Sequence, residues 1–388
     1  MIDTIVLTLK RDMFTIFEPD RFTPSANEIL DAHYQRGGRA FRKCTQNHTP
    51  RELQSGIYKP RLTLIRRVNN EGNPEISLKV EVSLPKLLFK NNFDEVEDKD
   101  FYNSVILLNQ KLNDMGVEVS EFNLTTAPVS SIHYSKNIPL TDGSFPYIYL
   151  KEIQKANITQ RLDFNQTDFR NEGQSVKFRA NSYEIAFYDK LKDLEKAKVS
   201  EKRSEEKDNA IQFNLFEKIP VRKPFQLLRM EVRLNQRRKI KQVLKKTSLA
   251  IEPDFHSLYN KRVAKTILLY YLDEIENSYP KLLYMTPEST KDFIAQFTIE
   301  NPKARIKDPL VALGFYHALE DLTTREIREL LKKYSRGNWY AFIKQINEFV
   351  YPKTRRSPFE PIRKSIEEFK PVKLVDFQDE MLNNDKYN

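Results

Sequence analysis

The sequence predicts an α+β fold in which an antiparallel-sheet domain, residues 1–250, is followed by an α-helical domain, residues 251–388. In the first half, several short segments alternate apolar and polar residues, the period-two pattern typical of strands with one buried face. After about residue 250 the apolar residues recur at helical spacing, and strand patterns almost disappear. We therefore expect the two parts to meet near residues 245–255.

The first half is predicted to contain mostly strands. Residues 1–19 favour two short strands that end at the breaker Glu18-Pro19-Asp20. One helix is clear at residues 99–115, where an apolar stripe ends at Gly116. The other predicted segments are irregular structure with one helix at 20–54, strands at 56–65, 75–84, 117–138, 173–179, 183–190 and 229–234, and a helix at 148–160. Residues 191–210 are rich in both acidic and basic side chains and are predicted to be a solvated helix or mobile loop with no catalytic role.

The second half is predicted to be helical, with a tail from residue 351 that is rich in Pro, Lys and Glu and loosely packed. Thr323 or Thr324 is the expected N-cap of one helix, and Gly337 its expected end. Residues 322–345 fit either a helix-turn-helix that recognises duplex DNA or an ordinary helical hairpin. The predicted helices are at 255–275, 286–298, 309–320, 323–334 and 339–350.

Composition narrows the classes of partner and compartment. The chain has 64 Lys and Arg against 54 Asp and Glu, a net charge of +10, which favours a polyanionic partner such as nucleic acid. Its one cysteine, Cys44, excludes an internal disulfide and a cysteine-built zinc site, and indicates the cytoplasm. No apolar run approaches the ~18 residues of a membrane span, and the first residues read as a strand rather than a signal peptide.

Four predicted strands each carry a polar row opposite an apolar row. Alternation of this kind ordinarily means a core face and a solvated face. Here, however, each polar row contains a residue suited to metal or phosphate, which favours a shared site. The polar residues are Lys79, Glu81 and Ser83; His133 between Ser131 and Ser135; Glu184, Tyr188 and Lys190; and Glu231 between Arg229 and Arg233.

These residue types suit phosphoryl transfer. Glu81, His133 and Glu231 form an O,O,N ligand set appropriate to Mg²⁺ or Mn²⁺, an ion that polarises phosphorus towards attack. Tyr188 is the predicted nucleophile, and Lys190 the cation that assists it. Arg229 and Arg233 can grip neighbouring phosphates.

A basic helix is predicted immediately after the last of these strands. Residues 237–246 place Arg237 and Arg238 on a strongly basic face, which is either a solvated surface or a track for DNA. Lys136, Phe178 and Arg179 are further candidate contacts to DNA.

At these residues the chain resembles the gene II/gene X family of phage and plasmid replication initiators, rolling-circle nickases related to the HUH endonucleases. The resemblance covers residues 1–250 best. The segments that carry it are Met1-Ile2-Asp3, Val80-Glu81-Val82-Ser83-Leu84-Pro85-Lys86, Ser131-Ile132-His133-Tyr134-Ser135-Lys136-Asn137, Phe187-Tyr188-Asp189-Lys190 and Leu228-Arg229-Met230-Glu231-Val232-Arg233-Leu234.

The resemblance implies an HUH-like nuclease domain that nicks and rejoins one DNA strand at an origin. Tyr188 would form a 5′-phosphotyrosine, and the freed 3′-OH would prime synthesis by the host polymerase. Rejoining needs no ATP because the covalent intermediate conserves the bond energy. The implied partners are origin DNA, single-stranded or supercoiled duplex, and a host helicase and polymerase in the bacterial cytoplasm.

The sequence departs from the family pattern in having no His-x-His pair among its five histidines. A mixture of histidine and carboxylates, as at Glu81, His133 and Glu231, fits the related initiators. Two other functions stay open: a non-catalytic origin-binding protein or repressor, and a relaxase of a mobile element.

Overall fold

The computed structural model describes residues 1–30, 41–49, 51–52, 57–68, 71–156, 174–193, 226–333 and 338–377. It confirms the α+β class. The strands in these ranges are β1 (Ile2–Lys10), β2 (Thr15–Ile16), β3 (Phe41–Gln46), β4 (Arg61–Val68), β5 (Pro74–Ser83), β6 (Val117–Glu118), β7 (Val129–Leu140), β8 (Ser175–Ala180), β9 (Tyr183–Asp189) and β10 (Gln226–Leu234).

Eight of these strands form one antiparallel sheet in the order β3-β4-β5-β1-β7-β10-β9-β8, and β2 pairs with β6. Strands close in sequence pair at both sides of the sheet. The centre is assembled differently, because β1 lies between β5 and β7, and β10 lies between β7 and β9. The middle of the sheet therefore depends on pairings between distant parts of the chain.

The α-helices are α1 (Asn27–Leu30), α2 (Leu84–Phe89), α3 (Phe101–Asp114), α4 (Glu121–Thr125), α5 (Pro146–Ile153), α6 (Arg237–Lys246), α7 (Phe255–Leu258), α8 (Lys261–Glu276), α9 (Thr290–Glu300), α10 (Lys307–Asp321), α11 (Thr324–Leu330), α12 (Trp339–Glu348) and α13 (Glu360–Glu368). No helix in the described ranges is long and apolar enough to cross a membrane.

One face of the sheet is covered by helices from the second half. Helix α8 begins at Asn260, whose side chain accepts hydrogen bonds from the amides of Arg262 and Val263. Its buried stripe packs on the central strands: the Tyr271 ring lies 5.2 Å from that of Tyr183 on β9. The Tyr134 hydroxyl on β7 donates to the carbonyl of Leu258, 2.9 Å away.

The apolar core is continuous across the predicted boundary at residue 250. Ile5, Val232 and Ile185 of the sheet belong to the same buried cluster as Ile267 and Leu272 of α8. Each such side chain contributes about 1.5–3 kcal/mol when it leaves water. Secondary structure thus changes near residue 250, while the packing of sheet and helices is shared.

Several element predictions need correction. The strand predicted at 117–138 is interrupted by α4, which begins because the Ser120 hydroxyl accepts from the amide of Asn123. The tail beyond residue 351 was predicted to be loose, yet it contains α13, whose Ile362 and Ile366 are buried and which packs against β7. Gly337 and residues 194–210 of the charged run lie outside the described residues.

Candidate functional site

The polar face of the sheet is assembled by strand register. In an antiparallel sheet, directly paired residues project their side chains from the same face. Arg233 of β10 pairs with His133 of β7 on one side and with Glu184 of β9 on the other. Arg229 pairs with Tyr188 in the same way. Alternation then places Glu231 on this face, between the two arginines.

A bulge in β1 adds a residue that the sequence analysis did not single out. The pairing of β1 with β7 shifts between Ile2 and Thr4, a β-bulge that interrupts simple alternation. Asp3 therefore reaches the polar face, where its carboxylate joins His133 and Glu231. One possible ligand atom from each of the three residues lies within 4.8 Å of the others. The sequence offered two signals for Asp3: it is an acidic residue inside an apolar strand, and it ends the segment Met1-Ile2-Asp3 that carries part of the family resemblance.

Glu231 is the electrostatic centre of this face and is only 1% exposed. Its two carboxylate oxygens accept from Arg233 Nε and Nη2, both at 3.0 Å. Burial alone would raise the pKa of Glu231, but the charge and hydrogen bonds of Arg233 hold it well below its ordinary range. The carboxylate is consequently ionised and able to bind a cation at any physiological pH.

His133 completes the cluster as a neutral imidazole. Burial lowers the pKa of His133, and the positive charge of Arg233 lowers it further against the opposing charge of Glu231. Its Nδ1 lies 3.6 Å from Glu231 Oε1. A neutral imidazole is the form that binds metals.

Tyr188 and Lys190 enter the same pocket from the end of β9. The Tyr188 hydroxyl donates to Glu231 Oε2 at 3.2 Å. Lys190 is the first residue of a helical turn rather than the last of the strand, and its Nζ lies 5.9 Å from the centre of the Tyr188 ring. The strand predicted at 183–190 is therefore one residue too long, although both side chains share the pocket.

Burial shifts the acidity of both groups. It raises the pKa of the Tyr188 phenol well above its ordinary value, against the opposing charge of Arg229. Burial and then the charge of Arg229 lower the pKa of Lys190 to about 7. At neutral pH the phenol is protonated, and a substantial fraction of the Lys190 amine is neutral.

The residues predicted to contact DNA occupy three different settings. Arg229 is buried, donating to the Asn92 carbonyl and the Ser135 hydroxyl, both at 2.9 Å. Arg233 is partly exposed and also donates to Glu184 at 3.0 Å. Arg237 and Arg238 are exposed at the start of α6. Of the four, Arg229 supports the site from beneath, whereas the other three face solvent at least in part.

The prediction for Lys136 needs correction. Lys136 follows β7 alternation to the face opposite His133, where it is 1% exposed. Its ammonium donates to Glu95 Oε2 and to the carbonyl of Lys370, both at 2.5 Å. In this arrangement it is an internal structural cation that cannot meet DNA.

Glu81 also differs from its predicted role. It pairs with Val6 of β1 and Arg61 of β4, so a whole strand separates it from β7. Glu81 is exposed and lines the pocket, but the compact cluster of possible ligand atoms contains Asp3 in its place. Asp3 rather than Glu81 joins the cluster because of the strand order, which the alternation of residues along a strand does not reveal.

The pocket is an open cleft of about 260 Å³ that mixes anionic and cationic walls. Five further residues line the cleft although the sequence predicted no role for them there: Tyr58, Arg61, Lys86, Asn92 and Asp193. Lys86 and Lys190 are buried beside the cluster of Asp3, His133 and Glu231. A phosphate bound to a cation at this cluster would still carry negative charge, which neighbouring positive groups can stabilise.

The cluster fits a hard divalent cation. Two carboxylates and one imidazole match the ligand preferences of Mg²⁺ and Mn²⁺. Asp3 Oδ1 lies 3.2 Å from Arg229 Nη2, yet this buried oxygen accepts no hydrogen bond from any described residue. Because buried acceptors are ordinarily satisfied, the oxygen is suited to a metal.

Comparison of the chain with protein-family models, with curated proteins and with solved structures found no match. Functional inference for this chain therefore depends on the geometry of the site.

Proposed function

We propose that the protein is a rolling-circle replication initiator that nicks and rejoins a DNA strand through Tyr188, using Mg²⁺ or Mn²⁺ in an HUH-like domain. One observation carries the proposal: the Tyr188 hydroxyl lies 3.2 Å from Glu231 Oε2, and Glu231 is itself a candidate metal ligand. A phenol, a cation site and cationic side chains then share one open cleft.

In the proposed reaction, the Tyr188 oxygen bonds to phosphorus as the bond from phosphorus to the 3′ oxygen breaks. The leaving 3′ oxygen takes a proton from water and becomes the 3′-OH. Asp3, His133 and Glu231 would hold the divalent ion, which supplies Lewis-acid polarisation of the phosphate. The phenolic proton passes to the neutral amine of Lys190, a better acceptor than Glu231 because the pKa of Glu231 is so low. Arg233 neutralises charge on the phosphate oxygens.

Rejoining reverses these steps, with the 3′-OH attacking the phosphotyrosine and Tyr188 leaving. Lys190, protonated in the first step, then returns its proton to the phenol, and the proton of the attacking 3′-OH is released to water. The proposed partners are origin DNA, single-stranded or supercoiled duplex, and a host helicase and polymerase in the bacterial cytoplasm. The helical domain, residues 251–388, would serve as an accessory DNA-binding part.

A second candidate is a non-catalytic origin-binding protein or repressor. The observation that favours it is the exposed basic face of α6, where Arg237, Arg238, Lys241 and Lys245 all face solvent. Such a face contacts phosphates without any chemistry. A relaxase of a mobile element would use the same site as the nickase and differs only in its DNA substrate.

The test uses plus-strand origin DNA from the replicon that carries the gene, with Mn²⁺, and denaturing gels that detect a protein–DNA adduct. We expect an adduct with wild type that is lost with EDTA and with Tyr188→Phe. Tyr183→Phe is the matched control, because Tyr183 lies on the opposite face of β9 and should leave the adduct unchanged. Tight duplex binding without any wild-type adduct would replace the nickase with the origin-binding protein.

A further inference from the structure

A short segment after α13, residues 369–374, lies against the loop at residues 91–95; we name the two the strap and the loop. The Glu95 amide donates to the Val372 carbonyl at 3.1 Å, and the Val372 amide donates to Glu95 Oε2 at 3.0 Å. The Leu374 amide donates to Asp94 Oδ1 at 2.6 Å. These bonds fasten the strap to the loop although nearly 280 residues separate them in the chain.

The strap and the loop also share a small apolar cluster that is separate from the main core. Its buried members are Phe93, Leu227, Val372 and Leu374, with Leu191 packed against them. Phe93 belongs to the loop, Leu227 is the second residue of β10, and Leu191 follows the end of β9. Two strap side chains thus fill the space between the loop, the start of β10 and the segment after β9.

Each of these three elements places a neighbouring residue in the candidate site. Asn92, next to Phe93, lines the pocket, and its carbonyl accepts from Arg229. Lys190 directly precedes Leu191 and lines the pocket as well. Arg229 follows Leu227 by two residues and lies 3.2 Å from Asp3. Along the chain, members of the apolar cluster therefore lie one residue from Asn92 and Lys190 and two residues from Arg229.

The loop is held on its other side by β7. Glu95 Oε1 accepts from the amide of Asn137 at 2.6 Å, and Asn137 Nδ2 donates to the Phe93 carbonyl at 2.8 Å. Asn91 stabilises the turn within the loop, because its side-chain oxygen accepts from the amides of Phe93 and Asp94. The loop is thus hydrogen-bonded to β7 on one side and to the strap on the other.

We propose that the strap is a positioning element of the site, in which Val372 and Leu374 hold Asn92, Lys190 and Arg229 in their working positions. The proposal rests on the proposed metal-dependent function of that site. Removing a strap side chain leaves a cavity between the three elements, which the loop and Leu191 relax to fill. Arg229 then loses its fixed acceptor on Asn92, and Asp3 loses the cation that orients it. Supporting residues of this kind tune metal sites strongly.

The experiment compares Leu374→Ala with the matched control Leu319→Ala, in which another buried leucine, on α10, is truncated away from the strap. Mn²⁺ affinity is measured by electron paramagnetic resonance, and hydrogen exchange by mass spectrometry. We expect Leu374→Ala to weaken Mn²⁺ binding about tenfold and to accelerate exchange of the amides of Phe93 and Asp94. Leu319→Ala should lower thermal stability with neither effect, and the volume-conserving Leu374→Met should restore both.

Two outcomes overturn the proposal: unchanged exchange in the loop of Leu374→Ala, or an equal loss of Mn²⁺ affinity in Leu319→Ala. The proposed function can fail separately, if the wild type neither binds Mn²⁺ nor forms an adduct with origin DNA. In that case the exchange measurements still decide whether the strap positions the loop.

Discussion

Replacing Glu231 by glutamine should expose how strongly the site depends on one buried carboxylate. Glutamine keeps the shape of the side chain and removes its charge. Of the two hydrogen bonds at 3.0 Å from Arg233, one is lost because the amide NH2 cannot accept, and the other no longer ends on an anion. Breaking a buried ion pair from one side costs about 3–5 kcal/mol. Arg233 retains Glu184 at 3.0 Å and has a side chain that is 29% exposed. Both features place the expected loss in the free energy of unfolding at the lower end of that range, about 3 kcal/mol.

The pH dependence of this loss follows from the direction of the pKa shift. The folded pKa of Glu231 lies below its unfolded value of about 4.3, so the stabilisation is complete above that pH. As the pH falls, the unfolded chain takes up the proton first, and the advantage of the folded state declines. The difference in stability between wild type and Glu231→Gln should therefore be constant near pH 7 and shrink below about pH 4.

Urea unfolding in EDTA measures this difference without contributions from metal. The single tryptophan, Trp339, is buried and reports on the helices by fluorescence, while far-UV circular dichroism reports on the whole chain. Glu81→Gln is the control, because Glu81 is exposed on the same face and should change stability by less than about 0.5 kcal/mol. A loss below about 1 kcal/mol for Glu231→Gln would refute the buried ion pair.

Three further predictions concern the metal, the lysine and the basic helix. Asp3→Asn should weaken Mn²⁺ binding by about tenfold or more. Glu81→Gln should keep the Mn²⁺ affinity within about threefold of wild type in the same titration. Equal losses in the two variants would show that Glu81 is a metal ligand. Lys190→Met should have a higher free energy of unfolding than wild type at pH 7, and this difference should close towards pH 10. Between about pH 7 and 10 the lysine is protonated in the unfolded chain but largely neutral in the folded one, so wild type gains stability as the pH rises. Urea titrations in EDTA at several pH values check this, and a gap independent of pH would contradict it. Alanine at Arg237 and Arg238 together should reduce the slope of log affinity for DNA against log salt by about 2, measured by fluorescence anisotropy; an unchanged slope would remove α6 from the interface.

Alternation along the strands determined which residues share a face. His133, Tyr188 and Glu231 lie on one face because each follows strict period-two spacing against buried neighbours, and that spacing is a local property of the chain. The same rule places Lys136 on the face opposite His133, so strand parity already separated it from the site, whereas its contact with Glu95 appears only in the tertiary structure. Helical spacing likewise predicted α10 within about two residues at each end, whereas the single helix predicted at 255–275 is divided into α7 and α8.

Strand order and irregular backbone were decided only in the tertiary structure. Glu81 is displaced from the cluster because β1 lies between β5 and β7, a pairing between distant segments that no local pattern encodes. Asp3 enters the cluster through a bulge, which breaks the alternation on which sequence reasoning depends. The strap reaches the loop across most of the chain. Composition and periodicity therefore determined the fold class and the chemical character of one face, whereas the identity of the residues that meet was set by long-range packing.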